Sequence, residues 1–129
     1  MPQVRWDHLH LRSPDPEATA RYYVEVFGAT PVNKVDVSGA VRVIVDLAGL
    51  HLFIEQVPPD TPAPPAPPYL GLEHIGLAVT NMDAVCAELK AHGAEFAVEP
   101  HTPRPGVRIA FVRAPENVRI ELLERSAGP

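Results

Sequence analysis

The sequence predicts an α+β fold in which one βαβββ unit occurs twice within a chain of 129 residues. Two segments of alternating apolar residues, 7–12 and 72–79, each contain a histidine and lie about half the chain apart. Such alternation is typical of strands with one buried face. Each segment is followed by a helical pattern that ends at a glycine, Gly28 in the first half and Gly93 in the second. The same order of elements in both halves indicates a duplication.

The first half begins with a strand over residues 4–12 and continues with a helix. Asp15 is suited to cap the helix N-terminus and Pro16 to its first position, because Asp accepts from free backbone N–H groups and Pro lacks one. Apolar residues recur three and four positions apart as far as Gly28, which predicts one buried helix face. Alternation then predicts three strands, at residues 30–37, 41–47 and 50–57.

The second half follows the same order, starting with a strand at residues 71–79. Thr80 or Asn81 can cap a helix over residues 82–92, which ends at Gly93. Further strands are expected at 95–98, 107–113 and 118–124, with a loop at 100–105 that contains His101.

A proline-rich linker, residues 58–70, separates module 1 (about 4–57) from module 2 (about 71–125). Seven of the residues between 58 and 68 are proline, which predicts a stiff, extended segment. The linker could join the modules within one molecule or pass to a neighbouring chain, and a proline-motif ligand is the competing interpretation. Because each module is too small to bury a core alone, residues 1–129 are expected to form a single domain.

Composition restricts the class of protein. With 46% hydrophobic and 21% charged residues, the chain is expected to be globular. A net charge of −5 and only 11 Lys and Arg residues argue against nucleic acid or an anionic membrane as the main partner. Cys86 is the single cysteine, which excludes an intrachain disulfide. Since no signal-peptide core and no membrane-spanning apolar run is found, we expect a cytoplasmic protein.

Three side chains on the polar faces of the predicted strands form a candidate metal site. His8 shares its strand face with His10 and Arg12, opposite the apolar residues of that strand. If the apolar faces meet the helices, His8, His74 and Glu121 project into the hollow of a curved sheet. Two imidazoles and a carboxylate suit one divalent ion (Fe, Mn, Ni, Co or Zn) with positions left open. Each of these residues alone would be an ordinary strand residue.

Several motifs resemble the vicinal oxygen chelate superfamily. Residues 7–11 and 22–28 resemble its histidine strand and the end of its first helix, and residues 73–79 its second histidine strand. Residues 108–112 and 120–124 resemble its closing hairpin. The superfamily includes glyoxalase I, methylmalonyl-CoA epimerase, extradiol dioxygenases, fosfomycin-resistance transferases and metal-free bleomycin-binding proteins. The resemblance implies a curved mixed sheet around a cup-shaped cavity, with the helices on its outer face.

The resemblance also places His8, His74 and Glu121 on metal-ligand positions of the superfamily. At the fourth position, where glyoxalase I and the epimerase would carry Glu or Gln, the alignment of the two halves places Phe53, which cannot bind a metal.

His51 and Glu55 flank Phe53 on the same strand face, and a small register change would let either reach the metal. Glu55 is the better candidate for a fourth ligand or general base, whereas His51 is favoured as a residue at the rim.

The first functional hypothesis is a metal-dependent lyase or isomerase that stabilises an enolate or enediolate, as the resemblance to glyoxalase I and the epimerase implies. Glu121 would be ligand and possible base, with Glu55 as its partner. The substrate would be a small molecule with vicinal or carbonyl oxygens. Candidate substrate contacts are His10, Arg12, Phe53, Arg104 and Arg108.

Two other functions remain open. A bare set of two histidines and one glutamate suits a non-heme Fe(II) dioxygenase of the extradiol type, which binds substrate and oxygen together. A non-enzymatic binding or resistance protein that sequesters a flat ligand is the third hypothesis, although that class typically lacks the three metal ligands. The resemblance further implies a homodimer.

Overall fold

The computed structural model describes residues 1–126, and the chain divides into two compact units on either side of the Pro62–Ala63 bond. Each unit has the order βαβββ, which confirms the predicted α+β fold with a repeated module. Module 1 comprises β1 (His8–Ser13), α1 (Pro16–Phe27), β2 (Thr30–Val37), β3 (Ala40–Leu47) and β4 (Leu50–Gln56). Module 2 comprises β5 (Ile75–Ala78), α2 (Met82–Ala91), β6 (Glu95–Arg104), β7 (Val107–Arg113) and β8 (Arg119–Arg125), with a 3-10 turn at Pro115–Asn117. The assignment of residues 1–129 to a single domain stays a prediction.

Each module forms its own four-stranded mixed sheet, with the strand orders β1-β4-β3-β2 and β5-β8-β7-β6. In both sheets the first and last strands of the module are parallel, and the remaining pairs are antiparallel. The structure therefore has two mixed sheets, one for each module, where the resemblance implied one. A parallel pair needs a long connection, and the helix and the two intervening strands supply it.

One face of each sheet packs on the helix of its own module. α1 packs against β3 and β4, and α2 against β6 and β8. Leu52 and Ile54 of β4 have 0% exposure, and Ile120 and Leu122 of β8 have 0% and 1%. Because successive side chains of a strand point to opposite faces, the residues between these core positions lie on the face without the helix. The candidate ligands of β4 and β8 are among them.

The helix ends follow the predicted signals. The Asp15 side chain accepts a hydrogen bond from the Ala18 backbone N–H at 3.1 Å, and Pro16 is the first residue of α1. Gly28 ends α1 with a φ of 72°, a left-handed conformation that glycine adopts without strain. Of the two proposed caps of α2, Asn81 is the one used. Among residues 1–126, no helix has the length and apolar composition needed to cross a membrane.

The first strand of each module is shorter than the sequence predicts. β1 begins at His8 rather than residue 4, and β5 begins at Ile75 rather than residue 71. The partner strands explain the difference, because β4 begins opposite the start of β1 and β8 opposite the start of β5. Residues before these points have no neighbour with which to form ladder hydrogen bonds. His74 therefore immediately precedes a strand instead of lying within it.

The predicted loop at residues 100–105 is wrong over most of its length, because β6 continues as far as Arg104. His101 lies opposite Ile109 of β7, and register shifts on either side of it accommodate the irregular pairing. β6 is the edge strand of its sheet, where proline is tolerated since one side of the strand needs no ladder hydrogen bond. Pro100 and Pro103 therefore do not end the strand.

Replacement of the α1 cap is expected to lower the free energy of unfolding. The variant Asp15→Ala leaves the Ala18 N–H without its acceptor and should cost about 1 kcal/mol in urea denaturation. Asp60→Ala, in the exposed linker, removes the same charge and should be nearly neutral. Equal losses in the two variants would contradict a capping role.

Candidate functional site

The sheet faces without helices carry Phe53 of β4 and Glu121 of β8, and strand register fixes the correspondence of these two residues. In module 1 Phe53 lies opposite His10, and in module 2 Glu121 lies opposite Gly76. His10 and Gly76 each follow the first histidine of their module by two residues. Phe53 and Glu121 therefore occupy equivalent positions, in agreement with the alignment of the two halves.

In module 2 the structure brings His74 and Glu121 together. Nε2 of His74 lies 3.6 Å from Oε1 of Glu121, and the two side chains are 34% and 17% exposed. Nδ1 of His74 contacts the carboxylate of Glu73, the preceding residue. Phe111 contacts the imidazole edge to face, with ring centroids 5.3 Å apart. Gly76 leaves space beside Glu121, since an added Cβ would lie 3.8 Å from Oε1.

His8 of module 1 is held in a similar way. Its Nδ1 lies 2.6 Å from Oδ2 of Asp7, again the preceding residue, and this hydrogen bond lowers the pKa of Asp7. Because an ionised carboxylate only accepts, Nδ1 is the donor, and in the neutral imidazole the lone pair is then on Nε2. The imidazole also stacks on Phe53, with centroids 3.8 Å apart and planes 7° from parallel. The contacts of Asp7 with His8 and of Glu73 with His74 were not predicted. The sequence did contain a signal for them, because an acidic residue directly precedes each histidine.

Glu55 lies in an ionic cluster on the same face of module 1. Its Oε1 accepts from Nη2 of Arg42 at 2.5 Å and from Nε at 3.2 Å, and Nε2 of His10 is 3.2 Å away. The Arg42 hydrogen bond is the main cause of a lowered Glu55 pKa, which burial partly offsets. A carboxylate held in this way is a weak proton acceptor. Arg42 was also not predicted, and its position opposite Glu55 across the β3–β4 hairpin could have identified it.

The remaining candidates of module 1 are His51 and Arg12. His51 is 42% exposed, and its Nε2 is 3.5 Å from Oδ2 of Asp46. Arg12 is exposed and lies opposite Glu55 in the register of β1 and β4.

Arg108 and Arg104 belong to module 2. Arg108 donates to Asp83 of α2 at 3.0 Å, so it lies on the helix side of its sheet and not on the face of Glu121. Arg104 ends β6, opposite Val107.

Within residues 1–126, no group of three or more His, Cys, Asp or Glu side chains is placed so that it could hold a metal ion. Module 2 by itself supplies two of the predicted donors, His74 and Glu121, and module 1 supplies His8. The three-ligand site stays a prediction.

Comparison with known proteins identifies the class. The family model described as Glyoxalase/Bleomycin resistance protein/Dioxygenase superfamily matches residues 5–122. The chain therefore belongs to this superfamily, as its motifs predicted. Among curated proteins it is similar to the uncharacterized protein YaeR of Escherichia coli (strain K12), with 26% identity over 126 residues, 92% of this chain and 94% of the relative.

Solved structures with the same fold are also similar to this chain. A glyoxylase/bleomycin resistance protein/dioxygenase domain from Frankia sp. EAN1pec has a TM-score of 0.79 at 19% identity, covering 99% of this chain and 96% of that one. The fosfomycin resistance protein FosX from Listeria monocytogenes has a TM-score of 0.75 at 17% identity, covering 98% and 97%. A glyoxalase I mutant from Zea mays has a TM-score of 0.76 at 22% identity, covering 97% of this chain and 46% of that one.

The Glu55 cluster predicts a pH-dependent contribution to stability. A carboxyl group whose pKa is lowered on folding stabilises the folded state above its unfolded pKa, and this contribution is lost as the pH falls through the folded value. Glu55→Gln should therefore destabilise the protein at about pH 6 and have a much smaller effect at about pH 3, measured by urea unfolding. Glu88→Gln, an exposed control on α2 in module 2, should show little difference between the two pH values. A Glu55→Gln effect independent of pH would contradict the ionic explanation.

Proposed function

We propose that this protein is a divalent-metal-dependent lyase or isomerase that acts on a small substrate with vicinal or carbonyl oxygens. His8, His74 and Glu121 are the proposed ligands. The observation that carries the proposal is the same in both modules: the carboxylate before each histidine contacts Nδ1, an arrangement that in a neutral imidazole leaves the lone pair on Nε2. Metal-binding histidines characteristically have their second ring nitrogen anchored by a carboxylate or carbonyl group.

The donor atoms of module 2 fit a shared ion. Two ligands bonded to one ion at about 2.1 Å lie roughly 3 Å or somewhat more from each other, and the His74–Glu121 separation of 3.6 Å is close to this value. Imidazole and carboxylate donors suit Fe, Mn, Ni, Co or Zn. Glu73 would then orient His74 and raise its basicity as a ligand.

The chemistry follows from the residues around this pair. A divalent ion supplies Lewis-acid stabilisation of negative charge on a carbonyl oxygen, which eases loss of a proton from the adjacent carbon. We assign acceptance of that proton to Glu121, because Arg42 and His10 hold Glu55 and lower its pKa. Glu55 acts instead as a positioning residue for His10. The space beside Gly76 would let the substrate approach the Glu121 carboxylate.

An Fe(II) dioxygenase is the second candidate, and one observation favours it. Phe53 occupies the position equivalent to Glu121 and stacks on His8, so this position supplies no oxygen ligand. Three protein ligands on one side of an iron ion leave room for both a substrate and oxygen.

We also propose a homodimer as the working assembly.

Metal content tests the ligand assignment. Elemental analysis of protein purified without chelator should find bound metal, and His8→Ala, His74→Ala and Glu121→Ala should each lose most of it. His92→Ala, at the C-terminus of α2, is the matched control and should retain it. Glu73→Gln should weaken metal affinity by about 10- to 100-fold in a competition titration, since it removes the carboxylate that orients His74 and leaves the three ligands in place. Unchanged metal content in all the ligand variants would refute the proposal.

Turnover assays separate the reactions. The lyase or isomerase proposal predicts disappearance of a hemithioacetal without oxygen uptake, and the dioxygenase alternative predicts oxygen uptake with a catechol. Glu121→Gln should reduce either activity by at least about 100-fold, since it removes both a ligand and the proton acceptor. Ligand binding with neither reaction would favour the non-enzymatic binding protein.

A further inference from the structure

We infer that module 2 contains a subsite for a carboxylate group, formed by Arg119 and Arg113 next to the His74–Glu121 pair. The substrate class would then be small organic acids. The subsite is argued from contacts within module 2 alone, whereas its assignment to the substrate rests on the proposed function.

A cavity of about 170 Å³ marks the subsite. Linker residues 65–67 and Tyr69 form one wall, and the sheet side contributes Ala97, Arg113, Asn117 and Arg119. None of the lining residues is acidic, although the chain as a whole carries a net charge of −5. The cavity therefore combines two cations with apolar proline and alanine surface.

Arg119 has unused hydrogen-bonding capacity. Its side chain is 21% exposed, and its Nε lies 3.0 Å from Oε1 of Glu73 without forming an aligned hydrogen bond. The guanidinium lies over the ring of Phe111, 4.5 Å from the centroid, which restrains its plane. Within residues 1–126, the buried Nε atom of Arg119 has no hydrogen-bond partner, and a guanidinium offers five N–H donors in all. A largely buried arginine in this state is suited to an external acceptor.

Arg113 lies directly opposite Arg119 in the register of β7 and β8. Like charges at opposed strand positions destabilise a sheet. Each arginine has one acidic neighbour on its outer side, Glu95 for Arg113 at 2.7 Å and Glu73 for Arg119. An anion bound between the two guanidinium groups would reduce their repulsion and supply acceptors to both.

The form of the cavity favours a carboxylate with a short hydrocarbon chain. A planar guanidinium matches a planar carboxylate through two parallel hydrogen bonds. A volume of about 170 Å³ is below that of pockets for drug-sized ligands, roughly 300–1,000 Å³, and suits one end of a small acid. Arg119 and Glu121 share a face of β8 two residues apart, a separation of about 7 Å along the strand. The carboxylate and the reacting carbon of a substrate would be separated by a similar distance.

The test is a titration of the full-length, metal-free protein with butanoate, followed by ¹H–¹⁵N NMR at constant ionic strength. We expect saturable shifts at residues around the cavity, and binding of the uncharged analogue butanamide at least about tenfold weaker. Equal binding of butanoate and butanamide would overturn the inference, as would saturable binding of inorganic phosphate without binding of butanoate. Because the titration uses metal-free protein, a lack of butanoate binding would contradict the carboxylate subsite without testing the proposed metal site.

Two variants locate the binding. Arg119→Gln removes the charge, and Ala97→Leu fills the cavity from an exposed position of β6 while retaining both arginines. Each should weaken butanoate binding by at least about tenfold. Arg125→Gln, an exposed charge on the same strand, is the matched control and should bind as the unmodified protein does. Unchanged butanoate binding in a folded Ala97→Leu variant would overturn the assignment to this cavity, whether or not Arg119→Gln folds.

Discussion

Parallel pairing of the first and last strands of each module is the interaction on which the site depends. It places Phe53 beside His10 in one sheet and Glu121 beside Gly76 in the other. The register is fixed by burial, because Ile120 and Leu122 of β8 are enclosed under α2. A slip of one residue would turn the Glu121 carboxylate towards the core and expose those apolar side chains. The hydrophobic core therefore determines which residues are available for chemistry.

The late start of β1 and β5 determines how the two histidines are oriented. In a regular strand, adjacent residues point to opposite faces, so a carboxylate could not easily reach the imidazole that follows it. β1 begins at His8, and β5 begins one residue after His74, so the preceding acid is free of the strand geometry in both modules. Asp7 and Glu73 can then contact Nδ1 of their histidines. The orientation of both imidazoles thus depends on where the neighbouring strands begin.

The two modules use equivalent positions for different chemistry. Module 1 places an aromatic ring against its histidine and neutralises Glu55 through Arg42 and His10. Module 2 places a carboxylate near its histidine and leaves the buried Nε atom of Arg119 without a hydrogen-bond partner among the described residues. The asymmetry is the physical basis for assigning proton transfer and carboxylate binding to module 2.

The sequence by itself determined the repeated βαβββ order, the cap at Asp15, the end of α1 at Gly28 and the face on which Glu121 lies. These are local properties, set by side-chain period, turn conformation and backbone hydrogen bonding. Tertiary structure alone decided that Arg108 turns to Asp83 and that β6 continues through two prolines. Each of these depends on which strand or helix lies alongside, because a side chain pairs with its spatial neighbour and a proline within a strand is tolerated at a sheet edge or a bulge.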